Sequence, residues 1–206
     1  MTAAHQPQPA LEVVTDLEDT SESATSTDAW RAQTVIDQYG PEHQFVGSLM
    51  WLSAARARPL LDVVPATAIW APLARWAYEL VGRVIDAGRQ PTPVTVLAAG
   101  RRHRAHDALH PQQPPSAAEY AQLALYLFDA YAQAVAPHAA ITSYAQELLD
   151  DAYRRAFASC GIRMQQLVGS GAERTDLTNQ FNEIRDELAD LRHRADAAAK
   201  TERSQP

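Results

Sequence analysis

The sequence predicts an all-helical protein, a helical bundle head followed by a long antiparallel helical hairpin, and three observations predict it. Apolar residues recur three and four apart along nearly the whole chain after residue 28, the spacing that lines one face of a helix. Breaks in that pattern coincide with Pro and Gly, the residues that stop or restart helices. Towards the C-terminus, Leu177, Phe181, Ile184, Leu188 and Leu191 alternate spacings of four and three, as in a helix packed lengthwise along another.

Residues 1 to 27 are rich in Pro, Gln, Ser, Thr and acids, too polar to bury a core, and read as a disordered acidic tail. The head is expected over 28–136. A short helix spans Asp28 to Gln38, with Asp28 as cap and Trp30 and Val35 as apolar contacts. Pro41 opens a stretch in which Phe45, Val46, Leu49, Met50 and Leu52 form one face through about Ala57. Leu60 to Val64 follows Pro59 and stops at Pro65.

A longer helix covers Ile69 to Ala87, with Trp70, Leu73, Trp76, Leu80 and Val84 inward and Gly88 as a left-handed cap. Thr92 and Pro93 restart the chain as cap and first helical residue, and Gly100 ends that helix. Residues 101 to 115 are basic, then Pro-rich, and form a surface loop. Ser116 and Glu119 make a capping box for a helix to about Val135.

The hairpin is expected over 137–199, with 200–206 disordered. Its first helix begins at Pro137 and returns Ile141, Tyr144, Leu148, Ala152, Ala156, Cys160, Met164 and Leu167 to one side. Gly169 to Gly171 supply the turn, and the second helix carries the Leu177 to Leu191 seam, the candidate oligomer or partner interface.

Charge is unevenly placed. The net value is -7, but residues 1 to 28 hold six acids and no Lys or Arg, so the remaining 18 bases and 19 acids nearly cancel. A near-neutral folded part offers little counterion release, so any DNA contact should be weak. Nothing at the N-terminus resembles a signal peptide and no apolar run is long enough to span a bilayer, so a cytoplasmic protein without membrane contact is expected.

Catalytic patterns are missing, and no cofactor is expected. The lone lysine, Lys200, lies in no phosphate-binding Gly-rich loop, and the eight glycines form no dinucleotide motif. His103, His106, Asp107 and His110 have metal-ligand chemistry, but Arg101, Arg102 and Arg104 beside them repel a cation. Asp150 and Asp151 are matched by Arg154 and Arg155 one turn on and read as surface ion pairs. Cys160 falls on the apolar face as a small core residue, leaving no disulfide and no metal site.

The order of signatures carries a resemblance. Glu42, Phe45 and the run Gly47, Ser48, Leu49, Met50 resemble the opening helix of the N-terminal domain of DnaB-type replicative DNA helicases. The stretch from Trp70 through Asp86, Gly88 and Pro93 to Leu97 is similar to that family's next helices and joint. Tyr120 to Leu127, and Ile141, Tyr144 and Ala145 leading to Arg154 and Arg155, resemble the later ones. The resemblance spans about residues 41 to 170. It implies a helical head and hairpin that dimerise, build a collar and contact helicase, primase or loader proteins. These 206 residues hold no ATPase motif, so helicase activity is not implied. The expected role is a stand-alone, non-enzymatic adaptor or regulator in DNA replication, a homodimer or higher oligomer. The competing expectation is a helical regulator of a small ligand or DNA, with Trp70, Trp76 and Tyr78 lining a pocket.

Overall fold

The computed structural model describes residues 39–203, and every regular element among them is helical. The acidic tail, the helix expected over 28–38 and residues 204–206 lie outside the described residues. In chain order the helices are α1 (Pro41–Leu49), α2 (Ala54–Val63), α3 (Pro72–Asp86), α4 (Pro93–Gly100), α5 (Ala117–Ala132), α6 (Ile141–Gly169) and α7 (Arg174–Arg203), with a 3-10 turn at Ala66–Ala68. The all-helical bundle with a terminal hairpin is the fold that the apolar periodicity predicts.

Helix α1 is the centre of the bundle, packed against α3, α5 and α6. Pro41 sits in its first turn, and Phe45, Val46 and Leu49 are wholly buried. Such an all-round burial requires its polar groups to find partners. Gln44 does so with the chain just beyond α5, donating from Nε2 to the Gln133 carbonyl at 3.1 Å and accepting from the Val135 amide at 2.9 Å. Gly47 lets the helices close up, because a Cβ there would sit 2.1 Å from the Ala130 carbonyl oxygen.

The expected single face from Pro41 to Ala57 is broken in two. α1 ends at Leu49 in tight turns at Met50, Trp51 and Leu52, and Ser53 caps α2 by accepting from the Arg56 amide. Met50, Leu52 and Ala57 are nonetheless buried, so the apolar pattern is satisfied by a corner instead of one straight helix. Pro59, expected to separate two pieces, lies inside α2. The carbonyl its missing N–H leaves free belongs to solvent-exposed Ala55, where water can pair with it.

Two other boundaries move for tertiary reasons. α5 stops at Ala132, short of Val135, because Gln44 takes up the backbone groups that would have continued it. α6 begins at Ile141 and not at Pro137. Ala136 there adopts φ 44°, and its carbonyl accepts from the Ala139 and Ala140 amides in a turn before the helix. The caps at Thr92 and Ser116 form as expected, and Gly88 takes φ 71°.

Residues Ile141, Ala145, Leu148, Leu149 and Ala152 are buried in the same core as α1 and α3, so the first half of α6 belongs to the head. Helix α7 runs back along α6 and reaches α2, where Ala198 is buried and Arg194 Nη1 donates to the Asp62 and Val63 carbonyls at 3.3 and 3.4 Å. It continues past residue 199 to Arg203, through Lys200, Thr201 and Glu202, with no Gly or Pro to break it. Among the described residues, no helix is long and apolar enough to cross a membrane.

Candidate interaction surface of the helical hairpin

The expected seam on α7 divides into two sets. Ile184 is buried at 5% exposure, Leu177, Leu188 and Leu191 are half-buried, and Phe181 is 52% exposed. Ile184 and its neighbours one and two turns on hold α7 to α6, with Leu191 also packed against the core of the head. Across the hairpin, Arg163 Nη2 donates to Glu187 Oε2 at 2.6 Å and lies 3.1 Å from the Cys160 sulfur. The guanidinium's pKa is raised, first by the hydrogen bond to Glu187 and then by Cys160. Cys160 itself is buried, as its place on the apolar face suggests.

On α6 a different set faces outward. Phe157 is 63% exposed and Val168 69%, with Met164 also exposed. Met164 was expected inside with Cys160. Steps of four residues advance about 40° around a helix of 3.6 residues per turn, so the run from Ala152 through Ala156 and Cys160 drifts until Met164 has left the inner face. There it joins Tyr153, Phe157 and Val168 in one stripe, with Tyr153 and Phe157 ring centroids 6.4 Å apart. Gly161 falls in the middle of this stripe, with nothing near the position of a Cβ. The signal that could have found the stripe is the same spacing, 153, 157, 161, 164 and 168, read for the face adjoining the expected one.

The joint between head and hairpin is polar. Glu42 on α1 accepts from the Trp70 and Ala71 amides at 2.7 and 2.9 Å, and so serves the start of α3, whose cap residue has no side-chain acceptor. Arg155 of α6 stands 3.5 Å from the same carboxylate, donates to the Ala68 carbonyl, and lies over the Trp70 ring at 5.9 Å. The surface pairing expected of Arg155 is therefore not formed. Of the two arginines only Arg154 pairs locally, with Asp151 at 2.8 Å, because position 155 shares the core-facing side of α6 with Leu148 and Ala152.

Trp70, Trp76 and Tyr78 do not line a common pocket. Trp76 and Tyr78 are buried in the core, donating to the His103 and Val64 carbonyls, whereas Trp70 is 69% exposed at the joint. The 101–115 loop is tied down at three places. Arg104 forks onto Glu119, Arg75 pairs with Asp107 at 3.1 Å, and the His106 amide donates to Glu79 at 3.0 Å. Asp107 is thus committed to an arginine.

No family model matches this chain, and no curated protein matches it. Among solved structures, the chain is similar to the crystal structure of the N-terminal domain of DnaB helicase from Mycobacterium tuberculosis, with 21% sequence identity and a TM-score of 0.53 over 73% of this chain and 95% of that one. The likeness is one of fold.

Proposed function

We propose that this chain is a DnaB N-terminal-like module that performs no catalysis and works through its surfaces, as an oligomeric adaptor or regulator in DNA replication. The observation that carries the proposal is the exposed apolar stripe of Phe157, Met164 and Val168 on α6, with half-buried Tyr153 beside Phe157, and Phe181 likewise exposed on α7. Large apolar side chains clustered in water mark an interaction site, since monomers rarely expose them contiguously. A second copy of the chain is the occupant proposed for this stripe. The stripe follows the axis of a long helix over residues 153 to 168, so a second copy can lay the same stripe against it, the self-complementary contact of a two-fold dimer. The fold shared with a helicase N-terminal domain supports the wider reading, in which the assembled module contacts a helicase, primase or loader.

The test separates the exposed residues from the buried seam. Phe157→Asp with Phe181→Asp should convert an oligomer to a monomer in light scattering with the circular dichroism spectrum unchanged. An unchanged mass would remove the second copy as occupant. Co-purification of the untouched protein with a replicative helicase, primase or loader from the same organism tests the wider role, and no retention of any of the three would remove it.

A further inference from the structure

Away from the hairpin, Arg83, Arg89, Arg102 and His103 line a concavity of about 280 Å³ between the ends of α3 and α4, floored by small apolar side chains such as Val84 and Ala99. No carboxylate lines it. Several other arginines are neutralised by acids, Arg58 by Asp86, Arg75 by Asp107, Arg104 by Glu119, Arg155 by Glu42 and Arg163 by Glu187, while Arg56, Arg174 and Arg192 carry no ion pair among the described residues. Arg83, Arg89 and Arg102 have no acidic partner among the described residues. Of the two acids nearest in sequence to Arg83, Asp86 is paired with Arg58, while Glu79 accepts from the His106 amide, keeps its charge and lines a neighbouring concavity with Arg83. Arg101 is turned away onto Tyr120, donating to its hydroxyl at 3.0 Å and lying over its ring at 5.7 Å.

Arginines gather at helix C-termini because the exposed carbonyls there carry partial negative charge. Each end is worth roughly -0.5 of an elementary charge, so α3 and α4 together offset only about one of the three arginines. About one to two positive charges stay uncompensated on one small concave surface, the lower figure counting Glu79 one turn before Arg83. From this we infer that the concavity is a phosphate-binding site. The planar guanidinium matches phosphate oxygens with two parallel N–H donors, and a group bearing up to two negative charges neutralises the excess better than one carboxylate. Trp76, the nearest tryptophan, is buried with its indole N–H committed to the His103 carbonyl. With no Phe, Tyr or Trp lining the concavity and only the His103 imidazole as an aromatic ring there, recognition rests chiefly on the phosphate. The source is either the backbone of a nucleic-acid strand or a free phosphate compound.

Two probes distinguish them, applied to the full chain, to Arg83→Gln/Arg89→Gln/Arg102→Gln, to the corresponding triple Arg→Lys variant, and to the control Arg174→Gln/Arg192→Gln. Inorganic pyrophosphate is followed by phosphorus NMR line broadening. A labelled thymidine oligonucleotide is followed by fluorescence anisotropy across salt concentration. Pyrophosphate should broaden with the native protein and the control, retain most broadening with the Lys triple, and lose it with the Gln triple. If the strand is the source, the oligonucleotide should bind with a log–log salt slope of about -2, near -0.7 for each of three phosphates. Its Kd should then rise at least tenfold in the Gln triple. Pyrophosphate binding without oligonucleotide binding assigns a free phosphate compound to the same site. The inference is overturned if neither probe binds, if the Gln triple binds as the native protein does, or if a Glu-rich peptide of equal charge binds as tightly as the phosphates.

Discussion

The Glu42 carboxylate lies 3.5 Å from the Arg155 guanidinium while it accepts from the backbone amides of Trp70 and Ala71. One side chain near the start of α1 thus ties together the start of α3 and the middle of α6. Three elements distant in sequence share a single anion, and the arrangement dictates how the hairpin leaves the head.

Removing that anion should be costly. Glu42→Ala leaves two amides and a half-buried guanidinium short of an acceptor. Hydrogen bonds to a charged group contribute about 1.5–3 kcal/mol, so a loss near 2 kcal/mol is expected. The urea midpoint should fall with the slope unchanged, and a midpoint equal to that of the native protein would show the contacts to be dispensable.

Gly47→Ala tests the closeness of α1 and α5. The added Cβ would meet backbone, the Ala130 carbonyl at 2.1 Å, and backbone cannot swing aside as a side chain can. Overpacking of this kind costs about 1–3 kcal/mol or more. At about 2–4 °C per kcal/mol for a chain of this size, Tm should drop by roughly 2–12 °C. Gly161→Ala, with open space around it, should leave Tm within a degree or raise it slightly through better helix propensity.

The two kinds of seam residue should separate cleanly. Ile184→Ala removes a buried side chain and should cost about 2–5 kcal/mol. Phe181→Ala, at a half-exposed position, should change the thermal stability of the monomer little while weakening self-association. Equal destabilisation by both would mean that Phe181 is part of the hairpin's own packing.

Acid should loosen the head at two positions. Glu119 titrates at about 2, held down first by the hydrogen bonds from Arg104 and then by those from Ser116. A carboxylate with a depressed folded pKa stabilises fully above the ordinary value of about 4.5, and this contribution is lost as pH falls towards 2. His43 behaves differently in chemistry but alike in sign. Burial lowers its pKa, despite Asp129, so the fold favours neutral imidazole and loses stability as pH drops below about 6.5. Melting temperature should therefore decline in two stages, the upper one abolished by His43→Gln and the lower one by Glu119→Gln. A single stage unaffected by either substitution would refute this.

What could be read in the residues follows from what is local. The caps at Thr92 and Ser116 and the left-handed Gly88 depend on atoms a few positions apart, and each forms where the chain places it. The helix ends at Leu49 and Ala132 do not, because Gln44 reaches the chain beyond Ala132 and the corner after Leu49 is held by Trp51 donating to the Tyr131 carbonyl and Gln90 to that of Leu52. The hairpin surface was half legible. Ile184 is buried as its heptad position implies, but the exposed stripe through Phe157 and Val168 emerges only once the drift of α6 around its axis is seen.

By itself, the sequence determined the helical class, the hairpin and the lack of nucleotide-hydrolysing motifs, since these rest on periodicity and on residue types that are present or missing along the chain. Only the tertiary structure decided that Glu42 meets Arg155, that Phe181 faces water while Ile184 does not, and that three arginines gather without an acid. The physical reason is common to all three. Helical spacing tells which residues share a face, whereas the partner each face meets depends on how whole helices pack, and that is settled by the sum of contacts across the core.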